Sequence, residues 1–145
     1  MSFTHTVFEF DGRIGRFTYL LYSILNWLVT AVLILVGLVL TKPGLTVIPG
    51  ILLVFAAMAG LTWVSLALTV KRLHDTGHSG AHALWIVLLA ILAAATAFSN
   101  PVLAFILLAV IVGVFCWLAY APGDEGRNLF GPAPGGRPPR ESTGN

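Results

Sequence analysis

The stretch FTYLLYSILNWLVTAVLILVGLVL, Phe17 to Leu40, decides the fold. It contains no Asp, Glu, Lys, Arg or His, and its one strongly polar side chain is Asn26. A helix rises about 1.5 Å per residue, so about 20 apolar residues cross the hydrocarbon core of a bilayer. Three more stretches follow. Residues 47–70 end sharply at Lys71-Arg72, and 81–98 are shorter, near the lower limit. Residues 102–120 end in Trp117 and Tyr120, aromatic residues suited to the headgroup level. Ser99-Asn100-Pro101 alone joins the last two stretches, which predicts a tight antiparallel hairpin. A single helix kinked at Pro101 would be about twice the core thickness. Pro49-Gly50 either kinks the second span or marks its beginning.

The whole composition agrees. Hydrophobic residues make up 57% of the 145, and charged residues only 10%, against roughly 25% in ordinary globular domains. Mean hydropathy is +0.90. So few charges cannot coat a water-soluble surface, whereas lipid tails solvate apolar side chains. The fold class expected is an all-α membrane protein: a domain over 1–120 with about four transmembrane helices, then a tail over 121–145. The tail is rich in Pro, Gly and charge and is expected to be disordered beyond about 134. A net charge of +2 is too weak to argue nucleic-acid binding. Cys116 is the only cysteine, so no disulfide forms within the chain. Glu9 and Asp11 precede the first apolar run, which is too long for a signal h-region, so that segment is read as retained.

Basic residues orient the spans. Arg13, Arg16, Lys71, Arg72, Arg127, Arg137 and Arg140 fall on one side, and Lys42 alone on the other. Both termini are therefore expected in the cytoplasm. All six acids and all four histidines lie on that same side.

Two motifs carry the polar chemistry. Phe8 to Arg16 (FEFDGRIGR) brings Arg13 and Arg16 to the foot of the first span. They serve either as snorkelling anchors for orientation or as an anion site. Lys71 to Gly80 (KRLHDTGHSG) bridges the second and third spans. Lys71 and Arg72 suit a helix C-terminus, Gly77 a C′ position, and Ser79 a cap for the third helix, with Gly80 a second turn residue. Asp75 is expected to form an ion pair with Arg13, Arg16 or Arg72. His74, His78 and His82 share a four-residue spacing, but Gly77 and Gly80 interrupt any helix that would make it one ligand face, so no metal is expected. His74-Asp75 lacks an accompanying nucleophile motif, so no catalytic residues or cofactor are assigned.

Within the spans, Asn26 and the stripe Thr62, Ser65 and Thr69 are candidates for helix-packing hydrogen bonds, or for back-bonding to their own helix in the case of the stripe. The pairs Ala56 with Gly60, Ala90 with Ala94, and Ala109 with Gly113 permit close helix approach, either inside the bundle or between copies in a homo-oligomer. No ionisable residue sits deep in a span, which argues against a proton- or ion-coupled pump.

Phe10-Asp11-Gly12-Arg13-Ile14-Gly15-Arg16, Lys71 through Gly80, and Gly126-Arg127-Asn128-Leu129-Phe130-Gly131-Pro132 together resemble a bacterial inner-membrane family catalogued as domain of unknown function 805. The resemblance runs to about Pro134. It implies a bacterial inner membrane and a handful of spans, and no activity. The chain departs from the family pattern after Ser79-Gly80: Ala81-His82 stands where an aromatic pair is common, with Trp85 later, and His78 where a lysine-like residue is common. Both changes weaken any family-wide metal role for these histidines.

The function expected is a non-enzymatic membrane module. Its charged cytoplasmic face, built from Arg13, Arg16, Lys71, Arg72, His74, Asp75, Ser79 and Asn128, would bind a protein partner or anionic lipid headgroups. The alternative is a small oligomeric transporter or channel component, suggested by Asn26 and the Thr/Ser stripe.

Overall fold

The computed structural model describes residues 8–41 and 47–135. Lys42, Arg137, Arg140 and the distal tail expected to be disordered lie outside the described residues. Among the described residues there are four helices and no strand: α1 Arg16–Leu40, α2 Val47–Asp75, α3 His82–Thr96 and α4 Pro101–Tyr120. Helices α1, α2 and α4 are each long and apolar enough to cross a membrane. Helix α3 has 15 residues, roughly 22 Å at 1.5 Å per residue, which is short of the hydrocarbon thickness.

Both ends of α3 explain its length. At the start, Ser79, Gly80 and Ala81 accept tight i→i+3 bonds from His82, Ala83 and Leu84 at 3.1, 2.9 and 3.1 Å. At the end, the Thr96 hydroxyl donates back to Leu92 O at 2.8 Å, a bond that competes with the regular ladder. Asn100 then starts α4. Its Oδ1 accepts from Leu103 N at 3.1 Å, and Pro101 takes the first helical position, where the missing N–H is harmless. Helices α3 and α4 pack against each other as a hairpin. Pro49 lies in the first turn of α2, so it begins that helix and does not kink it.

The chain divides into two compact units, one built around Leu20–Leu68 and the other joining Phe10–Tyr19 to the chain from Thr69. In the first, α1 and α2 meet at glycines. A Cβ on Gly50 would lie 2.6 Å from Gly37 O and 2.8 Å from Thr41 Cγ2, so the two backbones touch. The small pairs noted above do not make this contact: Ala56, Gly60, Ala90, Ala94, Ala109 and Gly113 are all exposed within the chain. Small residues permit close approach only where a neighbour arrives, and spacing along one helix does not say where that is.

Asn26 donates to Leu61 O at 3.3 Å and to Ser65 Oγ at 3.2 Å. Thr62 donates to Met58 O within its own helix at 2.9 Å. In the second unit, Thr69 bonds Tyr19. The stripe is thus shared among three separate tasks. Interhelical bonds of this kind average about 0.6 kcal/mol in a bilayer. Asn26→Leu is therefore expected to change stability by under about 1 kcal/mol, read as the thermal midpoint of the purified protein in detergent. A loss beyond about 2 kcal/mol would give Asn26 a larger role than a packing contact.

Candidate functional site

The polar chemistry gathers in the second unit, at the C-terminal end of α2. Arg72 and Asp75 are three apart and share a face of the last turn. The helix stops as a Schellman motif: Gly77 N–H donates to His74 O at 3.2 Å and His78 N–H to Leu73 O at 2.8 Å. Gly77 has φ +75°, and a Cβ there would also lie 2.8 Å from Asp124 Oδ2. Glycine meets both demands.

Asp75 is 3% exposed and sits between two guanidiniums, Arg13 at 3% and Arg72 at 0%. Arg13 donates from Nε and Nη2 to Asp75 Oδ1 at 3.1 and 3.0 Å, in a fork. Arg72 Nη1 pairs with Asp75 Oδ2. Arg16 does not join the cluster; it is exposed at the first position of α1.

One carboxylate cannot neutralise two guanidiniums, and backbone carbonyls supply the remaining acceptors. Arg13 Nη1 donates to Gly126 O at 2.7 Å and Gly131 O at 3.3 Å, and its Nη2 to Asp124 O at 2.7 Å. All five N–H groups of Arg13 therefore have acceptors. Arg72 Nε donates to Leu118 O at 2.7 Å and Nη2 to Ala121 O. These are carbonyls at the end of α4, which have no partner within the helix and carry the negative end of its dipole. Ile14 O accepts from Arg72 Nη1 at 3.4 Å. The two arginines thus bind the irregular segment after α4 by its backbone.

Asn128 completes the closure. Its Nδ2 donates to His74 O at 2.8 Å and to Asp124 Oδ2 at 3.0 Å, while its Oδ1 accepts from Phe130 N at 2.9 Å. A reciprocal backbone pair, Asn128 with Gly131, holds the turn between them. Phe130 stacks on the His74 ring at 3.9 Å with 4° between the planes, and His74 Nδ1 lies 3.2 Å from Gly12 O. Lys71 is buried as well, at 2%.

The remaining predicted residues stand elsewhere. Ser79 is not the N-cap of α3; that position is Ala81, with no side-chain cap. Ser79 Oγ instead accepts from Ala81 N–H at 3.3 Å, because the tight turns displace the helix start by two residues. A Cβ on Gly80 would lie 2.7 Å from Val70 Cγ1 and 3.1 Å from His74 Nε2. His78 presents its ring edge-on to Trp117 at 5.6 Å, and His82 Nδ1 lies 2.9 Å from Ser79 O. Among the described residues no group of three or more His, Cys, Asp or Glu gathers to hold a metal. Sequence reasoning missed Gly123, whose hydrogen faces the Asp75 carboxylate so closely that a Cβ would overlap it. The Pro122-Gly123 dipeptide is the signal that marks it.

Beside the cluster lies a cavity of about 690 Å³, within the range of ligand sites. Its lining includes Arg72, Asp75 and Gly123 of the cluster together with Arg16, Phe17, Asp124 and Glu125.

The fold and site together define an all-helical protein of membrane-spanning character, with one polar end organised by a buried Arg–Asp–Arg cluster. The chain belongs to the family described as Protein of unknown function (DUF805), whose model matches residues 7–132. No curated protein and no solved structure matches it.

Proposed function

We propose that this protein is a non-enzymatic module of the bacterial inner membrane, with both termini cytoplasmic, whose polar end binds phospholipid headgroups. The observation that carries this reading is the division of labour among the arginines. Arg13 and Arg72 are buried and have their N–H groups engaged by Asp75 and by backbone carbonyls, which makes them a structural latch. Arg16 is exposed at the foot of a membrane-crossing helix and lines the open cavity. A guanidinium at that level meets lipid phosphate, and the seven-to-one distribution of basic residues in the sequence supports a cytoplasmic setting. A protein partner docked on the same face is the competing occupant. The alternative of a small oligomeric transporter or channel component rests on Asn26 and the Thr/Ser stripe, where the Asn26 amide donates to Leu61 O and Ser65 Oγ.

The test is lipid retention. Wild type and Arg16→Gln, purified in mild detergent, are compared by native mass spectrometry. Arg16→Gln is expected to lose most of the retained phospholipid, a fall of about tenfold for a charge-assisted phosphate contact of roughly 1.5 kcal/mol, with an unchanged thermal midpoint. Equal retention by both proteins would count against the headgroup reading.

A further inference from the structure

The cavity is lined by charges of both signs. Arg16 lines it together with Asp124 and Glu125, and all three are exposed. Yet no ion pair joins Arg16 to either carboxylate among the described residues, whereas Asp75 pairs with both Arg13 and Arg72. The latch fixes the main chain on which Asp124 stands. Asp124 is fixed through its backbone, with its N–H donating to Asp75 O at 2.7 Å and its O accepting from Arg13. Its side chain is steadied by Asn128. The backbone that carries Asp124 therefore cannot shift without breaking the cluster.

A purely anionic ligand fits this lining poorly. Arg16 would attract it, but Asp124 and Glu125 would repel it, and the Arg72 charge is already met by Asp75. A purely cationic ligand has the reverse difficulty at Arg16. A zwitterion satisfies both sides: phosphate at the guanidinium, and a donor ammonium at the carboxylates. The cavity opens where α1 begins and α4 has just ended, with Phe17 76% exposed at its rim. In the proposed topology that is the headgroup level of the bilayer, with an apolar lip for the glycerol and acyl region.

We infer that the cavity is a site for the phosphoethanolamine headgroup of a membrane phospholipid, with Arg16 at the phosphate and Asp124 and Glu125 at the primary ammonium. This deepens the headgroup reading above and rests on it. The primary amine is the distinguishing feature, since it has three N–H donors to offer to carboxylates, while a trimethylammonium has none to donate.

The experiment uses the full chain in mild detergent, titrated with phosphatidylethanolamine, phosphatidylglycerol or phosphatidylcholine of matched acyl chains, and with soluble phosphoethanolamine. Native mass spectrometry reads occupancy. Phosphatidylethanolamine is expected to bind at least about tenfold more tightly than the other two lipids, the scale of one charge-assisted hydrogen bond. Glu125→Gln, at a side chain with no hydrogen bond in the described structure, should erase most of that preference while leaving the thermal midpoint unchanged. Asp124→Asn provides a second variant, compared only if its midpoint is also unchanged. Phosphatidylglycerol binding as well as or better than phosphatidylethanolamine would overturn the amine assignment and leave the headgroup reading standing. So would a Glu125→Gln protein that keeps the full preference. Free phosphoethanolamine binding as tightly as the lipid would assign the site to a soluble ligand and overturn the lipid as source. No retention of any lipid by wild type would remove both readings.

Discussion

Asp75→Ala is expected to cost about 3–5 kcal/mol of stability and to release the segment after α4. The substitution leaves two guanidiniums buried with no counter-charge. Removing one partner of a buried ion pair is severe for that reason: the desolvation already imposed on the survivors is no longer offset. Here the survivors also hold Ala121, Asp124, Gly126 and Gly131 by their carbonyls. Repulsion between Arg13 and Arg72 would then act on the backbone contacts they make. The loss should appear as a lowered thermal midpoint in detergent and as new protease sensitivity between 121 and 131. Asp75→Asn keeps the shape and some hydrogen bonding, and should fall between wild type and alanine. A midpoint within about 1 kcal/mol of wild type for Asp75→Ala would mean that the cluster does not act as a latch. The contrast with Arg16→Gln is the internal control, since that charge is exposed and unpaired among the described residues.

Gly50→Val is expected to be nearly as damaging in the first unit, through packing instead of charge. The obstacle to a new Cβ is backbone: Gly37 O at 2.6 Å, with Thr41 Cγ2 at 2.8 Å and Leu40 Cβ at 3.1 Å behind it. A flexible side chain can move aside, but a carbonyl within a helix moves only with its helix. Overpacking of this kind costs roughly 1–3 kcal/mol and more when backbones must separate. Gly60→Val serves as the comparison, because a Cβ there meets nothing within 4 Å. The measured quantity is again the thermal midpoint, with a marked fall for Gly50→Val and little change for Gly60→Val. Equal effects at the two positions would show that the close approach of α1 and α2 does not govern stability.

Much of the helical plan was legible from hydropathy alone, since the apolar runs are long and end at charges, prolines or glycines. The third helix was legible in existence but not in extent, because its ends are set by hydrogen bonds of Ser79, Gly80 and Thr96 that no hydropathy pattern records. The residues of the site were also legible: Arg13, Arg72, His74, Asp75 and Asn128 all belong to motifs visible in the chain. Which arginines pair with Asp75 was not. Arg13 and Arg16 have similar spacing to the first span and identical chemistry, yet one is buried in the cluster and the other lies open at the cavity.

The amino-acid sequence by itself determined that this chain is built of apolar helices with its charges collected before, between and after them. Burial of about 20 consecutive apolar residues needs no knowledge of neighbours, because lipid is a uniform solvent. Only the tertiary structure decided that the Arg–Asp–Arg cluster is closed and that a cavity lined by charges of both signs stands beside it. Pairing of charges depends on which groups from positions 13, 16, 72 and 75 arrive within a few ångströms, and that distance is set by how the helix ends are held, not by the order of residues along the chain.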